Sequence, residues 1–191
     1  MEITWHGETC FRIKGQKTTL VVNPSAANAA LKADMTLNGT GKEVAIEGSL
    51  RTFDWPGEYE MKEIPINIYE TASEGGGDES MIFCFEVDGI KMCHIAGLQH
   101  TLDRDVFNEI GDVDVLMVEV GEGVELPKGR LMEVIEGIEP RAVIPMGKGD
   151  LGAALVGIGV EQTPENTDKL VIKSSAELPV EQMRCVLLSQ Q

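Results

Sequence analysis

The stretch "MIFCFEVDGIKMCHIAGLQH", residues 81–100, decides how the chain is read. Two runs rich in β-branched and aromatic residues meet at Asp88-Gly89, the residue pair favoured by a type I′ turn, so the stretch predicts a β-hairpin. Its second arm runs out into an Ala-Gly pair bracketed by His94 and His100. Histidines at the end of an apolar strand are where a metal enzyme places ligands, and they pose the functional question.

The first half of the chain continues the β pattern. "EITWHG", "CFRIKG" and "TTLVVN" alternate apolar and polar residues, with Gly15-Gln16-Lys17 as a hairpin turn. "PSAANAALKAD" predicts a brief helical turn, and "EVAIEG", "RTFDWPGEYEMKE" and "PINIY" predict further strands. "SEGGGDES" (73–80) has nothing to pack and is expected to be a mobile loop.

The rhythm then changes. "TLDRDVFNEIG" carries a Thr or Asp cap, keeps Leu102, Val106 and Ile110 on one face, and stops at Gly111. "DVDVLMVEVG" and "RAVIPMG" are apolar runs of the kind covered on both faces, separated by the amphipathic "KGRLMEVIEGIEP". "DKLVIK" and "MRCVLLS" supply closing strands, while Gly152, Gly157 and Gly159 read as a flexible rim. An antiparallel first half followed by β-α-β-α-β implies an α/β (α+β) chain: two packed sheets with helices outside, in one domain spanning residues 1–191.

Composition narrows the function. The 191 residues are 42% hydrophobic, enough for a sizeable core. Sixteen basic residues against 32 acidic give a net charge of −16, which repels phosphate backbones and anionic bilayers alike. Neither nucleic acid nor membrane is an expected partner. No window approaches 18 consecutive apolar residues, and "MEITWHGETC" lacks a signal-peptide layout, so a cytoplasmic location is expected. Cys10, Cys84, Cys93 and Cys185 form no C-x-x-C pair and read as buried thiols packed like small hydrophobes.

"ITWHGETCFRIKG", "NPS", "PGEYE", "EVDGIKMCHIAGLQH", "GDVDVLMVEVG" and "IEPRAVIPMG", in this order, resemble the metallo-β-lactamase-fold hydrolases, in the branch similar to L-ascorbate-6-phosphate lactonase. The likeness covers nearly the whole chain and implies a four-layer αββα sandwich of two mixed sheets flanked by helices. It also implies one or two metal ions with a bridging hydroxide as nucleophile. His94 and His100 align with the histidines that flank the family's bridging Asp; position by position, every ligand outside that pair is replaced. The first His cluster falls in "ADMTLNGTGKEVAIEG", which has no histidine. The next His falls on Glu70, the bridging Asp on Gly97 and the last His on Gly147; the "G-H-S-C-F" histidine is Glu8, and the Asp before Pro is Asn23.

The expectation is therefore a catalytically degenerate member, a pseudoenzyme without the dinuclear metal site, retained as a binding or assembly module and needing no cofactor. A vestigial pocket would draw on His94, His100, Glu70, Glu58, Asp54, Glu8 and His6, while Cys10 beside His6 at alternate strand positions could form a nucleophile pair. Two alternatives stand beside it. One is a hydrolase with a relocated site, using a single zinc or other divalent metal, or none. The other is a sensor that takes a small-molecule ligand in the vacated cavity. A homo-oligomer or a basic protein partner is the expected assembly.

Overall fold

A computed structural model describes residues 1–71, 80–160 and 164–191. The hairpin expected around Asp88-Gly89 forms. Strand β8 (Ser80–Val87) pairs antiparallel with β9 (Ile90–Ile95), and Asp88 and Gly89 take φ of 53° and 76°, both left-handed as a type I′ turn requires. The glycine-rich loop expected before it lies, Ser80 apart, outside the described residues.

The strands assort into two mixed sheets. In the six-stranded sheet, β1 (Glu2–Trp5), β2 (Phe11–Lys14) and β3 (Thr19–Val22) form a meander, which β4 (Met35–Leu37) and β5 (Thr52–Phe53) extend in parallel and β13 (Leu170–Val171) closes at the far edge. In the eight-stranded sheet, β6 (Gly57–Met61), β7 (Ile64–Thr71), β8 and β9 are antiparallel. From β9 onward β10 (Val115–Gly121), β11 (Ala142–Lys148), β14 (Arg184–Leu188) and β12 (Glu165–Thr167) run parallel.

Alternation sorts each strand's side chains between two layers. Ile3, Phe11, Ile13, Leu20 and Leu37 of the smaller sheet meet Ile66, Ile68, Phe83, Met92, Met117 and Ile144 of the larger in the central core. The opposite face of the larger sheet, with Cys93, Ile95, Leu116, Val118 and Val143, is covered by α1 (Arg104–Ile110), α2 (Lys128–Ile138) and α3 (Leu151–Ile158). Their inward residues, Ile110, Leu131, Val134, Ile135, Ile138, Leu151, Leu155 and Ile158, follow helical spacing. The fourth layer is thin: the outer face of the smaller sheet is covered by the irregular segments on either side of β4, 24–34 and 38–50, whose Ala33 and Ile46 pack on Cys10 and Val21. One 3-10 turn, Ala26–Asn28, stands where the short helical turn was expected.

Two local expectations are corrected. "EVAIEG" is no strand: only Glu47 makes an isolated bridge, to Lys32, because β4 already has β3 and β5 on its two sides. The supposed glycine rim after "IPMG" is helix α3. Asp150 caps it by accepting the Ala153 N–H at 2.9 Å, and Leu151, Leu155 and Ile158 bury one stripe despite three nearby glycines.

Candidate functional site

The parallel strands β9, β10 and β11 end side by side, in the register Ile95↔Val118 and Val120↔Gly147. Ligands of open α/β sheets settle beyond such carboxyl ends. Here a cavity of about 400 Å³ opens, walled on this side by Ala96, Gly97, Gln99, Glu119 and Lys148. The smaller sheet supplies the facing wall through its own turns: Glu8 and Thr9 after β1, Asn23 after β3, Gly39 and Thr40 after β4.

Most polar groups of this wall are held by a neighbour. Glu119 accepts the Gly97 N–H at 2.7 Å, and Asn23 accepts the Gly39 N–H at 2.8 Å. Lys148 Nζ lies 3.1 Å from the Glu8 carboxylate, while the Gly147 N–H donates to the Glu8 carbonyl at 3.1 Å. That carbonyl also accepts the Trp5 indole N–H at 2.9 Å. A main-chain bridge thus joins the two sheets across one end of the cavity. Glu8 and Asn23 hold left-handed φ of 47° and 46°, strain that such positions keep only when their surroundings dictate it.

His94 lies beneath the cavity rather than in its wall. It is wholly buried in the inter-sheet core, near the rings of Phe11 and Phe83. Its Nε2 is 2.9 Å from the Thr9 carbonyl. A carbonyl can only accept, so Nε2 carries the hydrogen and Nδ1 is the bare nitrogen; Nδ1 has no partner among the described residues. Burial pulls the imidazole pKa down to about 4, which the bond to Thr9 only partly opposes, so the ring is neutral near pH 7.

The other candidates disperse. Glu8 lines the cavity, as do Gly97 and Gly147. His100 is exposed and outside the wall, as are Asp54, Glu58 and Glu70, the last paired in β7 with Met81 of β8. His6, Glu8 and Cys10 do not share a strand face, because β1 ends at Trp5 and the left-handed Glu8 breaks the alternation. His6 bonds Thr4 Oγ1 at 3.0 Å, and its pKa is lowered by partial burial and then by Arg12. Cys10 is buried behind the smaller sheet with its pKa raised by burial to about 12, a poor nucleophile.

The residues present do not fit a dinuclear metal centre. Among the described residues, no three His, Cys, Asp or Glu side chains converge as a ligand set. At Gly147 a neighbouring strand's backbone fills the ligand space, and at Gly97 the Ser80 side chain does. A Cβ on Gly147 would lie 2.4 Å from the Val120 carbonyl oxygen, and one on Gly97 would lie 2.9 Å from Ser80 Oγ. Sequence reasoning missed Glu119 and Lys148. The signals were there: a lone acid inside an apolar strand, and a lysine directly after "IPMG".

Among the described residues no helix is long and apolar enough to cross a membrane. The whole chain superposes on a Thermotoga maritima protein to which Zn-dependent hydrolysis and metallo-β-lactamase superfamily membership are ascribed. The identity is 25%, the TM-score 0.84, and the match covers 100% of this chain and 99% of that one. A Parabacteroides distasonis protein described as a metal-dependent hydrolase matches over 99% and 93% of the two chains, with TM-score 0.67 and 10% identity. Igni18, a metallo hydrolase from Ignicoccus hospitalis, matches over 90% and 99%, with TM-score 0.62 and 12% identity. No curated protein matches the chain. The β-lactamase superfamily domain matches residues 2–147, and the chain belongs to that superfamily.

Proposed function

We propose that this chain is a pseudoenzyme of its superfamily: it performs no metal-dependent hydrolysis and uses the cavity beyond β9–β11 to bind a small polar molecule. Gly147 carries the reading. Its backbone packs on the Val120 carbonyl and donates to Glu8, so the position that the family resemblance assigns to a terminal histidine ligand is here part of the scaffold. The hydrolase descriptions of the related proteins argue the other way, but an activity resides in a site rather than in a fold. The lining offers a small ligand carboxylates, amides and one ammonium, with Met81, Ile95, Val118 and Leu131 as the apolar part.

Metal analysis of protein purified without chelator tests the first half, with far less than one equivalent of zinc, iron or manganese expected. Near one equivalent, lost on His94→Ala or His100→Ala substitution, would overturn it. A thermal-shift screen of polar metabolites tests the second half. A ligand selective for the native state must raise the melting point, and substituting Glu119 with Gln should weaken that shift. No shift across the screen would count against a binding role for the cavity.

A further inference from the structure

Cys84 and Cys93 stand directly opposite each other on β8 and β9, with their sulfurs 3.4 Å apart. Two residues earlier on β9, Lys91 bonds through both backbone groups toward Asp114: its N–H to the carboxylate, its carbonyl to the Asp114 N–H. Every second residue of a strand points its backbone the same way, so Cys93 also bonds toward β10 and forms a non-hydrogen-bonded pair with Cys84. Such pairs are the closer kind, with Cα atoms about 4.5 Å apart, inside the span a disulfide bridges. Both sulfurs lie on the helix-covered face, where Cys93 is fully buried and Cys84 half-buried. Cys84 lines a second cavity of about 380 Å³, with Asn67, Lys91 and Asp112, which gives a reagent access from one side.

We propose that Cys84 and Cys93 are a thiol-modification site, a reversible dithiol–disulfide couple oxidised by a low-molecular-weight disulfide such as oxidised glutathione. Cys84 reacts first, as the attacking thiolate, because Cys93 is enclosed; burial, and then Cys84 itself, also raise the Cys93 pKa. The Cys84 thiolate displaces one glutathione thiolate, which takes up the Cys84 proton, leaving a mixed disulfide. Cys93 then attacks the Cys84 sulfur and expels the second glutathione, which leaves with the Cys93 proton. Two protein thiols are oxidised and one glutathione disulfide is reduced to two thiols. The bond would clamp the hairpin whose open end supplies Ser80, Met81 and residues 96–99 to the first cavity. Cys10 and Cys185, with pKa values raised by burial to about 12 and about 11, are expected to stay reduced.

The test incubates the folded, reduced chain with oxidised glutathione, quenches with N-ethylmaleimide, and counts thiols under denaturing conditions with peptide mapping. The expected product has lost two thiols, carries a Cys84–Cys93 cross-link, retains no glutathione, and returns to the starting mass with dithiothreitol. Cys93→Ser should stop at a glutathione adduct on Cys84, and Cys84→Ser should keep all its remaining thiols. Should Cys93→Ser fail to fold, Cys84→Ser at the half-exposed position carries the control with wild type. A stable glutathione adduct on wild-type Cys84, a cross-link between chains, or no reaction where the denatured chain reacts would each overturn the proposal.

Discussion

Gly147 packs its Cα against the carbonyl of Val120, two strands' main chains meeting where a Cβ would come within 2.4 Å of the oxygen. The position also holds φ of 126°, a conformation that L side chains rarely adopt. Gly147→Ala should therefore cost about 2–4 kcal/mol from backbone strain and displacement of β10. Gly147→His should cost at least as much without giving stoichiometric metal uptake. Denaturant unfolding and metal analysis of both variants check this; an alanine variant within about 0.5 kcal/mol of wild type, a typical surface effect, would sink it.

His94 sets an acid limit. Its folded pKa, about 4, is depressed below the unfolded value of 6.5, so between these pH values the unfolded chain binds the extra proton. Its stabilising contribution is whole above pH 6.5 and falls as the pH drops toward 4, by about 3 kcal/mol in all. The cause is physical: charging the ring inside the inter-sheet core forfeits its hydration, which hydrogen bonds to the Thr9 carbonyl and to the backbone of His94 only partly offset. His94→Gln, which can still donate to the Thr9 carbonyl, should unfold with a flatter pH dependence across that window. Equal slopes for variant and wild type, from denaturant melts at several pH values, would refute the assignment.

What could be read from the sequence was whatever a local pattern encodes. Asp88-Gly89 announced its turn, "DVDVLMVEVG" its burial on two faces, and Gly111 the end of α1. The failures lie where a single backbone angle or a distant neighbour decides. Glu8 turns left-handed and parts His6 from Cys10, which strict alternation would have aligned. "EVAIEG" alternates like a strand but finds no free strand edge beside β4. Helix α3 is masked by Gly152, Gly157 and Gly159, which argue for a loop, against the Asp150 cap and the Leu151, Leu155, Ile158 stripe, which argue for a helix. The cavity needed the fold, since Glu8, Asn23, Glu119 and Lys148 come from four separate connections or strand ends.

Arg141 should behave as a staple beneath the parallel strands. Its guanidinium donates to Asp114 Oδ1 at 3.0 Å and to the carbonyls of Pro179 and Leu178, so it ties the start of β11 to the loop before β14. Asp114 in turn accepts the Lys91 N–H of β9 at 3.0 Å. Both partners are largely but not wholly buried, so Arg141→Leu is expected to cost about 2 kcal/mol. Asp114→Asn combined with it should cost less than the sum of the two, as groups sharing one network do. A double-mutant cycle in urea provides the check, and strict additivity would show that the contacts do not act together.

Asp88 joins two hairpins at the opposite end from the cavity. Besides taking the left-handed turn position, its carboxylate accepts the Gln16 N–H at 3.0 and 3.2 Å, which fixes the β2–β3 turn against the β8–β9 turn. The carboxylate also lies 3.3 Å from the N-terminal ammonium of Met1. Asp88→Ala removes all three contributions and should destabilise the chain by about 2–3 kcal/mol. Asp88→Asn keeps a side-chain acceptor and tolerates the left-handed region but loses the charge facing the Met1 ammonium, so it should cost less than the alanine variant. Amide exchange at Gln16 is the discriminating readout. Faster exchange in the alanine variant but not in the asparagine variant is expected if this hydrogen bond carries the effect. Equal protection in both would place the cost in the turn backbone and the Met1 ion pair instead.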